Sequence, residues 1–395
     1  MKPEIRYVDR RGTSCKKWDN QTAMFGADGL MGLWVADMDF RAADPVIDAL
    51  RKAVDFGVFG YVYPWDGYYE AVMDWEWTRH GYRVEKDWIC FSPGVVPGFN
   101  WLMLANSEPG DSVLVLTPSY YPMLEAPVKN GRRLVTSDLI VVDGAFRVDF
   151  ADFERKIAEN RVKVFLLCSP HNPSGRVWEE YELRRMMDIC RKHGVYVVSD
   201  EIHQDIVIGG HKHIPTAMVG EYDDMLATLI AASKTFNLAG LQNASVILPD
   251  AAGRARYSAF TAGIRVLYGN TLGYVAAEAA YKTGGAWLNE ILHVISENEK
   301  LVRSALTAAI PGIFIPELQG TYLLWLDFSR CLRPEEMADF FETKCGLAMD
   351  YGNWFGGNPC CVRMNLATRR ENLEKAAAAI IREYQKLGRA QHGGA

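Results

Sequence analysis

An α/β fold, in which helices cover both faces of a mainly parallel sheet, is the class this sequence predicts. Three observations carry the prediction. Short, nearly continuous apolar runs recur at Ser112–Leu116, Val162–Cys168, Val195–Ser199, Leu226–Ala231 and Ala244–Leu248, the pattern of strands buried on both faces. Helical patterns separate several of them. Glu179–His193 is the clearest, with basic residues in its last turn and Gly194 behind it. The texture then changes after about residue 285, where long helical stretches replace the alternation.

In chain order, the first 40 residues lack strong periodicity, and an N-terminal segment over 1–45 is expected to pack with a smaller domain. Residues 46–285 are expected to make up the large, ligand-binding domain. Beyond it, Ala286–Ala309 reads as a long amphipathic helix, and Thr321–Phe328 and Cys361–Leu366 read as strands. Pro334–Cys345 and Arg370–Leu387 read as helices, so 286–395 is expected to form a smaller α+β domain.

Composition narrows the function. The 395 residues are 49% hydrophobic, enough for a substantial core, and the formal charge is 43 − 49 = −6. That mild acidic excess, with no Lys/Arg-rich run, argues against nucleic acid as a partner. Met1-Lys2-Pro3-Glu4-Ile5-Arg6 carries no apolar stretch of a secretory signal, and no run approaches the ~20 apolar residues of a membrane helix. The expectation is a soluble, cytoplasmic protein. Eight scattered cysteines form no C-x-x-C pair and read as reduced thiols. His203, His211 and His213 match no metal motif, so no metal is expected.

Open α/β sheets bind ligands beyond the carboxyl ends of their strands. In this chain those ends run into polar segments. Thr117-Pro118-Ser119-Tyr120-Tyr121-Pro122 comes after one strand, and Ser169-Pro170-His171-Asn172-Pro173-Ser174-Gly175 after another. Asp200-Glu201-Ile202-His203 and Ala232-Ser233-Lys234-Thr235 come after two more. Each piece alone has an ordinary explanation: a helix cap, a turn, a solvated lysine. Their order and spacing are another matter: Pro-x-Tyr, Asn-Pro-x-Gly, an Asp 28 residues after Asn172, and a Ser-Lys whose lysine lies 34 residues after Asp200.

That series resembles the fold-type I pyridoxal-5′-phosphate (PLP) enzymes, the aspartate aminotransferase superfamily, over nearly the whole chain. Trp34-Val35-Ala36-Asp37-Met38-Asp39-Phe40, Phe59-Gly60-Tyr61 and Ser233–Leu241 resemble its MalY/PatB-type cystathionine β-lyase branch, the aminotransferase-like C–S lyases. The resemblance implies a PLP-dependent transferase fold of type I: a large domain with a mainly parallel, seven-stranded-type sheet plus a smaller α+β domain. It also implies PLP as cofactor and a homodimer with shared active sites.

The cofactor's needs assign roles. Its aldehyde needs a lysine for a Schiff base, and Lys234 matches; the same amine then suits removal of the Cα proton. A buried carboxylate keeps the pyridine nitrogen protonated, and the resemblance makes that Asp200. By the same resemblance Asn172 donates to the ring 3-oxygen, and Tyr120, rather than Tyr121, stacks on the ring. His203 either supports Asp200 or is a satisfied core histidine. Gly94, Val95 and Val96 precede the helical run Phe99–Ser107, and their amides suit the phosphate. Ser233 adds a hydroxyl, and the resemblance brings Tyr61 to the phosphate from the partner subunit. One departure stands out. Many aminotransferases place an arginine eight residues after the lysine, where this chain has Gln242. Arg363, on a predicted strand, matches the arginine that forks onto the substrate α-carboxylate.

The resemblance thus implies a C–S β-lyase whose Lys234 Schiff base takes cystathionine- or cysteine-type amino acids to pyruvate, ammonia and a thiol. An aminotransferase would use the same residues up to the carbanion. A non-catalytic regulatory protein on the same fold is a further alternative, which the full set of polar residues opposes.

Overall fold

The computed structural model describes residues 3–392, so the ends of the expected N- and C-terminal segments lie outside the described residues. Among the described residues, thirteen strands run in chain order. β1 is Met31–Gly32, β2 Ile89–Ser92, β3 Ser112–Thr117, β4 Arg133–Val142 and β5 Ala145–Val148. β6 is Val162–Cys168, β7 Tyr196–Asp200, β8 Leu226–Ile230 and β9 Ala244–Ile247. β10 is Leu323–Asp327, β11 Leu347–Ala348, β12 Asp350–Tyr351 and β13 Cys361–Asn365.

The main sheet has the order β2-β9-β8-β7-β6-β3-β4-β5. β4, β3, β6, β7 and β8 are mutually parallel, while β9 runs antiparallel to β8 and β2. Five of them, β3, β6, β7, β8 and β9, are the apolar runs expected as strands; β2 and β4 bring the sheet to the seven strands the resemblance implies. The eighth, β5, pairs antiparallel with the outer half of β4. Side chains alternate between faces, as a pleated strand requires. Val113 and Val115 pack with Phe99, Leu102 and Met103 on one side. Leu114 and Leu116 pack with Leu183, Met186 and Met187 on the other. Helix Glu180–His193 owes its ends to the sequence. Glu179 and Glu182 form a reciprocal capping box, and Gly194 takes the left-handed conformation at φ 66°.

After β3 the chain steps to one side, to β4; β6 then pairs with the other side of β3. The order reverses there, and a crevice opens at the carboxyl ends of β3 and β6.

The C-terminal region contributes a three-stranded antiparallel sheet, β10-β13-β12, beside helices Gly285–Ala309 and Arg370–His392. The N-terminal β1 pairs in parallel with β11 of this region. The stretch expected as one helix over Pro334–Cys345 is a 3₁₀ turn, Pro334–Glu336, and then a π-wound segment, Asp339–Lys344. That winding buries the adjacent Phe340 and Phe341 together. Among the described residues, no helix is long and apolar enough to cross a membrane.

Candidate active site

Four connections leaving the sheet's carboxyl edge converge on a cavity of about 160 Å³. Tyr120 reaches it from the end of β3, Asn172 from the loop after β6, and Asp200 from β7 itself. Asp200 is the last residue of its strand rather than the first after it, because β7 runs one residue later than the apolar run suggests. Its pairing with Cys168 of β6 holds it in the sheet. Ser233 and Lys234 line the cavity from a one-turn helix, Ala232–Thr235, directly after β8.

The opposite wall is Pro93-Gly94-Val95-Val96-Pro97. The helix behind it spans Val95–Ala105, four residues earlier than the expected run from Phe99. Two valines and a proline disguise its first turn, where a proline is tolerated because early amides have no intrahelical partner. The amides of Val95 and Val96 therefore stand at a true helix N-terminus, which favours an anion. Gln242 and Asn243 complete this side.

Burial sets the electrostatics. Lys234 has its ammonium pushed down to about 8 by burial, with Arg363 adding to the shift and Asp37 and Asp200 opposing it. Nζ donates to the carbonyl oxygen of Ala36 at 2.6 Å. Burial drives Asp200 up to about 7, against a hydrogen bond from the amide of Ile202 and the charge of Lys234. A cationic neighbour would lower it again. Burial also raises the Tyr120 phenol, which keeps it protonated.

His203 lines the cavity, but among the described residues no hydrogen bond joins it to Asp200. The carboxylate accepts from Ile202 N–H at 3.1 Å, and His203 Nδ1 is buried without a partner. Burial and two nearby cations keep the imidazole neutral. His211 and His213 are paired elsewhere, with Glu317 and Glu201.

Arg363, on β13, is buried one step away and donates through Nη1 to Asn172 Oδ1 at 2.9 Å. This bond ties the C-terminal sheet to the loop after β6. Tyr61 does not join the group: it is fully exposed, at 112%, and lines a separate depression with Phe59, Leu267 and Tyr268. Tyr121 packs toward Phe355 with ring centres 6.3 Å apart, which leaves Tyr120 as the tyrosine of the cavity.

Sequence reasoning missed three contributors. The Ala36 carbonyl also accepts from the Tyr322 hydroxyl at 3.0 Å. Asp350 hydrogen-bonds Arg363 from β12. Asp205 accepts from Thr235 Oγ1 at 2.8 Å and meets His80 at 2.9 Å, bracing the turn that carries Lys234. Trp34–Phe40 signalled the first through its resemblance. No local pattern signals the other two, because their partners are remote in sequence.

The cavity therefore offers a primary amine for a carbonyl, a buried carboxylate for a cationic ring nitrogen, and first-turn amides for an anion. An open α/β sheet carrying this set at its carboxyl edge defines a cofactor-dependent enzyme of amino-acid chemistry. The aminotransferase class I and II family matches residues 28–380, and the chain belongs to it. It is 39% identical to cystathionine beta-lyase PatB of Bacillus subtilis (strain 168), covering 94% of this chain and 98% of that protein. It is 33% identical to protein MalY of Escherichia coli (strain K12), covering 95% and 97%. The crystal structure of cystalysin from Treponema denticola, which contains a pyridoxal 5′-phosphate cofactor, superposes with a TM-score of 0.93 at 32% identity, covering 98% of this chain and 100% of that one.

Proposed function

We propose that this protein is a PLP-dependent carbon–sulfur β-lyase, acting on cystathionine- or cysteine-type L-amino acids and releasing pyruvate, ammonia and a thiol. The observation that carries the proposal is the buried Lys234 amine, held near neutrality in one cavity with Asp200, Asn172 and Tyr120.

The residues fit the cofactor. Lys234 would hold its aldehyde carbon, Asp200 its ring nitrogen, Asn172 its ring oxygen, and Tyr120 its face. The amides of Gly94, Val95 and Val96, with Ser233, would hold its phosphate. His203, neutral and with an unpartnered Nδ1, stands in the same wall. When bound, PLP supplies an electron sink for the bond pair left on Cα.

The chain's own residues do the rest. Arg363 fixes the substrate α-carboxylate, which aims the Cα–H bond. Lys234 would remove the Cα proton at Nζ. A lysine near pH 8 has enough neutral amine at physiological pH to act as that base. The pair left at Cα would close a Cα–Cβ double bond as the Cβ–S pair leaves with sulfur, and the proton on Lys234 Nζ would pass to the departing thiolate. Water would then hydrolyse the C–N bond of the released enamine, giving pyruvate and ammonia.

We infer a homodimer. Phe56, Val58, Phe59, Tyr61 and Tyr63 form an exposed apolar band that Leu267 and Tyr268 extend. A monomer rarely exposes so many large apolar groups together. Tyr61 would then reach the partner's phosphate. We also infer a large unit over 46–285, a smaller one over 286–395, and a cytoplasmic location, which eight free cysteines support.

The test is pyruvate release from L-cystathionine without any keto acid, with Lys234→Ala as control. Steady turnover abolished in the control supports the lyase. A single turnover without pyruvate, restored by a keto acid, would make the protein an aminotransferase instead.

A further inference from the structure

Arg363 is already engaged before any substrate arrives. A guanidinium presents two edges on which a carboxylate can dock through two parallel bonds: Nε with Nη2, and Nη1 with Nη2. Nη2 belongs to both. Here Nη2 donates to the Trp34 carbonyl oxygen at 3.0 Å and to Asp350 Oδ2, which uses both of its hydrogens. Nη1 donates to Asn172 Oδ1. Nε is buried and has no partner among the described residues.

Asp350 is no stray surface acid. It is 3% exposed and sits directly opposite Arg363 in the β12–β13 register. The guanidinium lies 4.8 Å from the centre of the Phe355 ring, which fixes its plane. Of the two acceptors on Nη2, the Trp34 carbonyl belongs to a backbone segment that Asn365 pins at Val35 and Asp37, with bonds of 2.6 and 2.7 Å. Asp350 is the acceptor with the chemistry of an amino-acid carboxylate.

We propose that Asp350 is an internal occupant of the substrate-carboxylate position. A substrate α-carboxylate gains its two-bond grip on Arg363 by taking the Nη2 hydrogen that Asp350 holds. Docking is thus an exchange of one carboxylate for another, and Asp350 sets how tightly α-amino acids are held. The inference rests on the reading of Arg363 as the carboxylate site. Asp350 is a positioning residue: it touches the arginine and not the reacting atoms. It also keeps Arg363 aligned and charge-paired when no substrate is present, which a buried guanidinium requires.

Propionate carries the carboxylate without the amine, so it probes this position alone. It is titrated into the cofactor-loaded enzyme by saturation-transfer NMR, and KM for L-cystathionine is measured in parallel. Asp350→Asn keeps the shape and Asp350→Ser removes the acid in a second way. Both are expected to lower the propionate Kd and the KM by about tenfold, the scale of one charge-assisted hydrogen bond. A propionate Kd unchanged or raised in both variants overturns the exchange. Arg363→Gln should abolish propionate binding; if it does not, the arginine is not the carboxylate site and the proposal falls with that reading. Tighter propionate binding in the Asp350 variants, with no pyruvate from L-cystathionine in the wild type, leaves the exchange standing and removes the lyase reading alone.

Discussion

Lys234 Nζ meets the carbonyl oxygen of Ala36 at 2.6 Å, across 198 positions of sequence. The acceptor is a neutral carbonyl, and burial outweighs the charges of Asp37 and Asp200, which favour the ammonium.

The first prediction comes from that titration. Only the neutral amine attacks an aldehyde, so the cofactor-free protein should bind PLP faster as pH rises and level off above about 8. Stopped-flow growth of the Schiff-base absorbance measures the rate. A profile still climbing steeply past pH 10 would show an ordinary, solvated lysine.

Glu76 predicts a pH-dependent stability. It is buried, accepts from Gln204 Nε2 at 2.6 Å, and is pushed up to about 8 by burial, with Asp205 and Glu201 adding and His80 opposing. Its folded value lies above its unfolded one. The stabilisation is therefore complete below about 4.5 and is lost as pH rises through about 8. Glu76→Gln should match wild type near pH 5 and exceed it at pH 9 by on the order of 2 kcal/mol. Urea unfolding at the two pH values checks this, and equal gains at both would refute the titration.

Gly352 allows a close approach just after Asp350 and Tyr351. A Cβ there would lie 2.0 Å from the Asn358 carbonyl oxygen and 2.9 Å from Cys361 Cβ. The first neighbour is backbone and cannot swing aside. Gly352→Ala should cost about 2–3 kcal/mol and raise KM, because the displaced turn lies between Asp350 and Phe355. Thermal unfolding and steady-state kinetics report both effects.

Phe59 tests the apolar band. It is 62% exposed, beside Tyr61. Phe59→Asp should leave the protein monomeric in sedimentation and weaken retention of the cofactor on dialysis. A variant that stays dimeric would place the interface elsewhere.

The sequence made the parallel strands legible because strands buried on both faces read as unbroken apolar runs: Val162–Cys168 reads as a strand and is one to the residue. Lys234, Asp200, Asn172 and Tyr120 were legible because each stands at or just past the carboxyl end of a strand. The helix start at Val95 was not, since Val-Val-Pro is poor helix sequence that the site's geometry overrides. Asp350 was invisible for a different reason. Its partner lies 13 residues away across a strand pairing, and nothing in Met349-Asp350-Tyr351 separates a buried acid from a solvated one. The same holds for Asp205, whose contacts with Trp75 and His80 span 130 and 125 residues.

The segment Trp34–Phe40 is gripped from two sides. Arg363, Asn365 and Tyr322 hold it from the C-terminal region, while Lys234 and Asn237 hold it from the sheet side. It is a tie-rod between them: the C-terminal sheet is joined to the same peptide whose carbonyl accepts the Lys234 hydrogen bond. The amine's resting position is thus geared to the placement of a region remote from it in sequence.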